Sequence, residues 1–267
     1  MKRPKFDDSW SAEVVRVYEH DLDEIWDSSR ARHMYNKYHY QLKLYTQIAK
    51  DLTPKNILDV GCAQATLAMT LAEQGYRVTA NDIRGEFLEY AKSRYEKGDI
   101  RFVHGNIFDI DIGEKFDLIY ANQIIEHLVH PVEFIANLSR FLNPGGCMVL
   151  TTPNHDYIKN CLPSFDELGD TTQYEHLQFT ADADGHFFSY TPNELKRIIG
   201  QAGMAVKRVF TFESPIISGH MKIRFLHRVV PYKALSLGNF IAERLPFFGR
   251  RLCHQLGILA TLDQPEI

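Results

Sequence analysis

Hydrophobic and polar positions in the middle of the chain follow the periods of strands and helices in turn. Short apolar segments predict strands between residues 56 and 154, in NILDV, RVTAND, IRFVHGN, FDLIYAN and CMVLTTPN. Helical spacing predicts helices in ATLAMTLAEQG, in GEFLEYAKSRYEKG and, ahead of the turn NPGG, in IEHLVHPVEFIANLSRFL. This alternation indicates a parallel, doubly wound α/β sheet, which binds ligands at the carboxyl ends of its strands.

Residues 1–52 precede the sheet and are rich in charged and aromatic residues. Apolar residues recur there at helical spacing, at Tyr38, Leu42, Tyr45, Ile48 and Ala49. We expect an N-terminal helical cap whose rings pack on the sheet, and the alternative is a lid over the substrate. Residues 53–218 are then expected to form the cofactor-binding domain.

An irregular segment, residues 154–190, follows the fifth strand and is longer than an ordinary connection. Its aromatic content argues against disorder and favours a lid loop. The aromatic residues of this segment, with its histidines and one aspartate beside them, are His155, Asp156, Tyr157, Phe165, Tyr174, His176, His186 and Phe187. Beyond it, Thr191 and Glu194 predict a capped helix start, the segment AVKRVFTF predicts a strand, and GILATL is expected to be the last, antiparallel edge strand.

Residues 219–254 carry seven basic residues and a single acid, Glu243. The basic residues, Lys222, Arg224, Arg228, Lys233, Arg244, Arg250 and Arg251, are interleaved with Phe225, Leu226, Val229, Tyr232, Phe240, Phe247 and Phe248. The pattern predicts a basic amphipathic helical insertion within residues 219–267, able to lie on an anionic membrane surface or an anionic substrate. Basic side chains around a homodimer interface, or in an ordinary helical cap, would give the same pattern.

Composition narrows the classes of protein to consider. The chain has 267 residues, 45% hydrophobic and 24% charged, as expected for one globular domain. Its net charge of -4 provides no general attraction for nucleic acid. Four scattered cysteines, Cys62, Cys147, Cys161 and Cys253, show neither disulfide nor zinc spacing. With no signal-peptide or membrane-spanning run, we expect a cytoplasmic protein whose only membrane contact would be peripheral.

The most informative chemistry lies in ILDVGCAQATLAMTLAEQGYRVTAND, residues 57–82. A strand leads into a turn of small residues, a helix follows, and a second strand ends in Asp82, 23 residues after Asp59. The turn lets a ligand approach backbone N–H groups, and the later carboxylate can accept both hydroxyls of a ribose. This predicts a nucleotide-type cofactor site. A dehydrogenase fits less well, because its G-x-G-x-x-G pattern would fall on Gly61, Ala63 and Thr66.

From about Gln41 to Phe212 the chain resembles class I S-adenosylmethionine-dependent methyltransferases, in the branch with ubiquinone-biosynthesis and sugar O-methyltransferases. The matching segments are ILDVGCAQA, the acid Asp82, GNIFD, FDLIYANQIIEHLVHP, LNPGG and HFFSYTPNELKRIIGQAGM. The resemblance implies a Rossmann-like, mostly parallel, seven-stranded sheet and S-adenosyl-L-methionine as cofactor. Ala63 and Ala65 stand where the family usually has glycine. Alanine is acceptable there if its φ is negative, and we expect the added methyl groups to weaken or shift cofactor binding.

The resemblance also implies roles for single residues. Asp59 would support the turn and the methionine end of the cofactor, Asp82 the ribose, and Asn106 with Ile107 the adenine. Asn122 and Gln123, at the end of the fourth strand, would lie beside the sulfonium and its methyl group. The full set of expected cofactor-binding residues is Asp59, Gly61, Ala63, Asp82, Ile83, Asn106, Ile107, Asn122 and Gln123.

A hydroxyl acceptor has to lose a proton, and histidine can take it near neutral pH. His127 and His186 are the candidate catalytic bases, although His127 can equally be a structural residue near the fourth strand. His127 and His130 are one helical turn apart, but they lack a defined third ligand, so no metal site is predicted.

These observations predict a methyltransferase that acts on a hydroxyl of a sugar, a glycolipid precursor or another polar small molecule. Two alternatives stay open. One is a degenerate methyltransferase fold that binds or scaffolds without turnover, which Ala63 and Ala65 would favour. The other is N-methylation of a small molecule. Methylation of nucleic acid is disfavoured, because the chain has no NPPY-like motif for a flipped base and no basic excess.

Overall fold

The computed structural model describes residues 1–178, 186–246 and 248–262. Its centre is a seven-stranded sheet in the order β3-β2-β1-β4-β5-β7-β6. All neighbouring pairs among β1 to β5 are parallel, whereas β7 is antiparallel to both β5 and β6. The strands are β1 (Asn56–Val60), β2 (Arg77–Asp82), β3 (Asp99–His104), β4 (Phe116–Asn122), β5 (Leu142–Pro153), β6 (Met204–Phe212) and β7 (Gln255–Leu262). The predicted doubly wound, mostly parallel fold is confirmed.

Helices cover both faces of this sheet. They are α1 (Ala12–Asp21), α2 (Arg32–Leu52), α3 (Thr66–Glu73), α4 (Gly85–Arg94), α5 (Pro131–Ser139), α6 (Phe165–Leu168), α7 (Pro192–Gln201), α8 (Pro215–Ser218), α9 (Leu226–Val229), α10 (Tyr232–Glu243) and α11 (Gly249–Leu252). Neighbouring residues of β1 point to opposite faces, so Leu58 and Val60 enter one core and Ile57 the other. Among the described residues, no helix is both long and apolar enough to cross a bilayer.

One detail of the sheet and one of the helices differ from the sequence expectation. GILATL lies in β7, which is antiparallel as predicted but pairs with two strands, so the edge strand is β6. The helix expected from Ile125 begins only at Pro131, after a single 3₁₀ turn over Ile125–His127. Proline lacks the N–H that a helix interior needs and is accepted at a first helical position, which explains the late start.

The N-terminal helices pack on the sheet, as the first of the two alternatives predicted. The Tyr45 ring of α2 contacts the rings of Tyr120 and Phe212. At the end of α1, Asp21 forms a fully buried ion pair of 2.9 Å with Arg94 of α4. Arg94 also donates hydrogen bonds to the Gln64 carbonyl and the Thr66 hydroxyl, in the turn between β1 and α3. The helical cap is therefore tied to the turn that carries the predicted cofactor motif.

The segments after β5 follow the prediction in outline. Thr191 caps α7 and forms a reciprocal capping box with Glu194. The predicted lid, residues 154–190, contains α6 and a 3₁₀ segment over Thr172–Leu177. Residues 219–254 are mainly helical, as expected. Residues 179–185 of the predicted lid, Phe247 and residues 263–267 lie outside the described residues.

Candidate functional site

A cleft of about 330 Å³ opens at the carboxyl ends of β1, β2, β3 and β4. Several of the predicted cofactor residues line it: Gly61, Asp82, Ile83, Asn106, Ile107 and Gln123. The predicted base His127 lines it too. Asp59, Ala63 and Asn122 are outside its lining. Further lining residues, which the sequence reasoning missed, are Glu13, Val60, Asn81, Arg84, Gly105, Phe108, Ile124, Leu128 and Phe134.

The turn between β1 and α3 has left-handed backbone at Gly61, Ala63 and Ala65, with φ values of 59°, 46° and 53°. A Cβ atom on Gly61 would lie 2.7 Å from Ile124 Cδ1, the end of a flexible side chain, so it is the positive φ of Gly61 that favours glycine at this wall of the cleft. Both alanines have positive φ, not the negative φ at which alanine was expected to be acceptable here. Neither alanine lines the cleft, so their methyl groups take no space from a ligand. Their effect is the free energy needed to hold an L-residue in left-handed backbone.

Asp82 ends β2, and its carboxylate organises the turn. Oδ2 accepts a hydrogen bond of 2.8 Å from the Ala63 N–H, and Oδ1 accepts one of 2.9 Å from the Arg84 N–H. Each carboxylate oxygen has a second lone pair, so the group can also accept ligand hydroxyls. Asp59 is buried behind the turn, where it accepts a hydrogen bond from the Ala68 N–H, and burial and nearby Asp82 raise its pKa to about 7. Asp59 thus supports α3 and does not face the ligand.

The loop after β3 forms the side of the cleft assigned to adenine. Asn106 accepts a hydrogen bond of 3.1 Å from the Phe108 N–H, which shapes the loop and leaves its amide N–H₂ able to donate. The Asn81 amide donates to the carbonyls of Val103 and Gly105, at 3.0 Å each, and so fixes this loop against β2. Ile83 and Ile107 supply apolar surface for a flat ring.

Gln123 leaves β4 in left-handed backbone, with φ of 56°. Its amide donates to the Gln255 side chain at 2.8 Å, and the Gln255 amide contacts His254 Nδ1 at 3.0 Å. Asn122 is turned away from the cleft and accepts a hydrogen bond of 3.0 Å from the Thr151 hydroxyl. A polar chain therefore leads from the cofactor cleft, through Gln123, to a second pocket.

This second pocket, of about 390 Å³, is lined largely by polar residues. It contains Asn154, Tyr157, Lys159, Asn160, His186, His220, Lys222 and His254. The His220 and His254 rings lie 4.6 Å apart, and the pKa of His220 is lowered, first by burial and then by His254. Sequence reasoning missed His220 and His254, since isolated histidines in a helical segment carry no local signal of a site.

A cluster of three titratable residues joins the two cavities, and of these Glu126 is buried, His127 half-buried and His186 exposed. His127 from the first cavity and His186 from the second have ring centroids 5.0 Å apart, and Glu126 lies beside both. Glu126 Oε1 is 3.9 Å from His186 Nε2, and among the described residues neither Glu126 oxygen has a hydrogen-bond partner. Burial raises the pKa of Glu126 to about 8. Burial is also the main reason why the pKa of His186 is lowered to about 4.

The cluster can act as a proton acceptor or as a set of metal ligands. One atom from each of Glu126, His127 and His186 lies within 4.8 Å of the other two, so the three could hold a divalent cation. His130, which the sequence pattern paired with His127, instead contacts Glu175 at 2.8 Å. Glu126 was not singled out from the sequence, because an acid in an amphipathic segment normally lies on the surface.

These features fit the adenosyl cofactor that the sequence resemblance implies. The cleft offers a carboxylate for a ribose, apolar side chains beside an adenine, and exposed backbone at Gly61. The methyl group would then lie toward Gln123 and His127, where the second pocket begins.

Comparison with known proteins agrees with this geometry. Residues 30–209 match the family described as methyltransferase domain. The ubiquinone biosynthesis O-methyltransferase of Rickettsia conorii is 32% identical over 114 residues, 41% of this chain and 39% of the relative. Across the similar curated relatives, the match spans half of their length or less.

Solved structures share the fold at low sequence identity. An S-adenosylmethionine-dependent methyltransferase from Clostridium acetobutylicum superposes with a TM-score of 0.57 at 12% identity, covering 94% of this chain and 100% of the other. Magnesium protoporphyrin IX methyltransferase from Synechocystis, solved with bound SAH, gives 0.57 at 12% identity and covers 95% of both chains.

Proposed function

This chain belongs to the methyltransferase domain family and is an S-adenosylmethionine-dependent methyltransferase, and on that premise we propose that it methylates a hydroxyl oxygen of a polar small molecule. The observation that carries this proposal is the Glu126–His127–His186 cluster between the cofactor cleft and the second pocket. A hydroxyl has to lose its proton during transfer, whereas a neutral amine can attack through its lone pair. A histidine pair beside the acceptor pocket, next to the buried Glu126, therefore favours oxygen over nitrogen.

The cofactor is assigned to the first cleft. We assign its ribose to Asp82 and its adenine to the loop at Asn106 and Ile107, with the methyl group near Gln123. Hydrogen bonds to an ionised carboxylate are stronger than those between two neutral groups, so we expect Asp82 to make the main polar contact with the cofactor. Gly61 and Ile124 line the same cleft.

The acceptor is assigned to the second pocket. Its asparagine, histidine and lysine side chains suit a polar molecule such as a sugar or a glycolipid precursor. The Rickettsia relative's name, which specifies O-methylation, supports the same atom type. Holding the acceptor oxygen in line with the methyl carbon and sulfur, and excluding water, is the main contribution that the protein makes to such a transfer.

The cluster then handles the proton. When bound, S-adenosylmethionine supplies an electrophilic methyl group on a positively charged sulfur. His186, whose pKa is lowered to about 4 mainly by burial and which is therefore neutral at physiological pH, would take the proton of the acceptor hydroxyl. Glu126, whose Oε1 lies 3.9 Å from His186 Nε2, is placed to stabilise the imidazolium once it is ionised, above its raised pKa of about 8.

Calorimetry tests the cofactor assignment. Asp82→Asn should weaken S-adenosylmethionine binding at least tenfold, whereas Asp99→Asn, an exposed acid at the opposite end of the sheet, should leave it unchanged. Equal affinities for wild type and Asp82→Asn would remove the ribose assignment.

Turnover tests the acceptor and the base. Formation of S-adenosylhomocysteine is measured with pairs of sugars and other polar compounds that differ only in a hydroxyl or an amine. We expect turnover with a hydroxyl member, and a loss of about 100-fold or more in kcat for His186→Asn, the range of general base catalysis. The control is His130→Asn, an exposed histidine. Turnover with amines alone would overturn O-methylation.

Chelation separates the two roles of the cluster. If His186 acts as the base, EDTA leaves turnover unchanged. Loss of activity in EDTA, with recovery on adding Zn²⁺ or Mn²⁺, would instead assign Glu126, His127 and His186 to a cation and overturn the proposed role of His186.

A further inference from the structure

The outward face of α10 is apolar, which is unusual for a helix on the surface of a protein. Leu235, Asn239 and Ala242 are the buried residues of α10. Leu237, Phe240 and Ile241, at helical spacing on the opposite face, are 61%, 50% and 54% exposed. A helix that borders water normally has polar residues on this face.

Large apolar side chains are also exposed in the segments on either side of α10. The exposed fractions are 58% for Phe225, 73% for Val229, 43% for Leu245 and 66% for Phe248. Single exposed apolar residues are ordinary on protein surfaces, but a concentration of them marks an interaction site. We call the exposed apolar residues between 225 and 248, together with the basic residues around them, the α10 surface.

The charge of this segment is predominantly positive. Of its seven basic residues Arg250 pairs with Asp156, and its single acid, Glu243, has a side chain that is only 9% exposed. Its carboxylate accepts hydrogen bonds from the Tyr40 hydroxyl and the Asn239 amide, so it is turned inward. Arg244 lies over the Phe240 ring at 3.5 Å, and this places a cation directly beside the exposed ring.

We propose that the α10 surface docks on the anionic face of a lipid bilayer, with α10 in the plane of the interface. A helix of this kind buries its apolar side chains by about 5–10 Å at the boundary of headgroups and acyl chains. Basic residues near an anionic surface are attracted to it electrostatically. The combination of exposed apolar side chains with a predominantly cationic border suits this occupant.

Charge argues against the two other occupants. In a symmetric dimer through this face, the cationic border of one copy would meet that of the other, which costs free energy. A nucleic acid would satisfy the cations, but it would leave Leu237, Val229 and Ile241 without apolar partners.

Co-sedimentation with vesicles tests the proposal. Wild-type protein is mixed with vesicles of phosphatidylcholine alone, or with 30 mol% phosphatidylglycerol. We expect recovery with the anionic vesicles, little with the neutral ones, and a strong reduction at high salt because the attraction is screened.

Two triple variants separate the apolar from the ionic contribution. Leu237→Ser/Phe240→Ser/Ile241→Ser and Arg224→Gln/Arg228→Gln/Lys233→Gln should each lower the partition coefficient at least tenfold. The matched control removes three exposed charges elsewhere, in Lys43→Gln/Lys50→Gln/Lys97→Gln, and should bind as wild type does. All these positions are exposed, and thermal melting of each variant checks that it is folded.

Several outcomes would overturn the proposal. Equal binding to neutral and anionic vesicles, no binding to either, or equal losses for the control and the Arg224 triple variant would each do so. A wild-type dimer in analytical ultracentrifugation that the Leu237 triple variant abolishes would assign the α10 surface to a second copy. Retention by DNA or RNA but not by vesicles would assign it to nucleic acid.

Discussion

Replacing Ala63 by glycine should stabilise the protein, because Ala63 has left-handed backbone with φ of 46°. An L-residue with a Cβ pays about 1–2 kcal/mol in this conformation. Glycine avoids that cost but loses about 0.5–1 kcal/mol more backbone entropy on folding. The methyl group of Ala63 is partly exposed, so little burial is lost. The free energy of unfolding should therefore rise by about 0.5–1 kcal/mol.

Two matched variants give this prediction its contrast. Ala136 is exposed within α5, where glycine costs about 1 kcal/mol of helix stability, so Ala136→Gly should change stability in the opposite direction. Ala65 also has positive φ, of 53°, but its methyl group is fully buried. Losing a buried methyl costs about 0.8 kcal/mol, which offsets the relief, so Ala65→Gly should be nearly neutral.

Urea denaturation followed by circular dichroism measures all three variants, and calorimetry measures their affinity for S-adenosylmethionine. Because Ala63 is outside the lining of the cleft, Ala63→Gly should leave the affinity within about twofold of wild type. Destabilisation of Ala63→Gly to the extent seen for Ala136→Gly would refute the left-handed conformation. A large gain in affinity would show instead that the alanine methyl group obstructs the cofactor.

Two further predictions concern buried charge. Asp21→Asn removes the partner of the fully buried Arg94 guanidinium and should lower the free energy of unfolding, measured by chemical denaturation, by about 3–5 kcal/mol. The control Asp23→Asn breaks a more exposed pair with Arg30 and should lower it by about 1 kcal/mol or less. Equal costs would mean that Arg94 is not buried as described. The raised pKa of Glu126, about 8, means that folding favours its protonated form, so this contribution is present below the ordinary carboxyl pKa and is lost as pH rises toward 8. The free energy of unfolding is measured against pH, in EDTA, for wild type and Glu126→Gln. Between about pH 4.5 and pH 8, wild type should lose on the order of a few kcal/mol more than the variant. Parallel curves for the two proteins would contradict this.

The β1–α3–β2 unit could be predicted well from the sequence, since its signals are local. A strand period, a helix period and an acid at a strand end place Asp82 without any knowledge of the rest of the chain. The conformation of the turn could not be predicted in the same way. Alanine normally disfavours positive φ, and only the packing around Ala63 and Ala65 imposes it.

Long-range relations were harder to predict. His127 and His186 were both singled out as candidate bases, but their contact with Glu126 depends on how the segment after β5 returns over the sheet. The sequence of β7 carries a signal of its inner position. The continuous apolar run from Leu256 to Leu259 lacks the alternation of an edge strand with one solvated face, and is typical of a strand covered on both faces.

The position of β7 between β5 and β6 has a consequence for biosynthesis. During translation β6 emerges before the strand that must lie between it and β5, with the helices α8 to α11 synthesised in between. Until β7 emerges, both β5 and β6 expose unpaired backbone edges, which are prone to associate with other chains. We therefore expect nascent chains paused before residue 255 to depend on chaperones, and truncations that remove β7 to aggregate rather than to give a smaller folded domain.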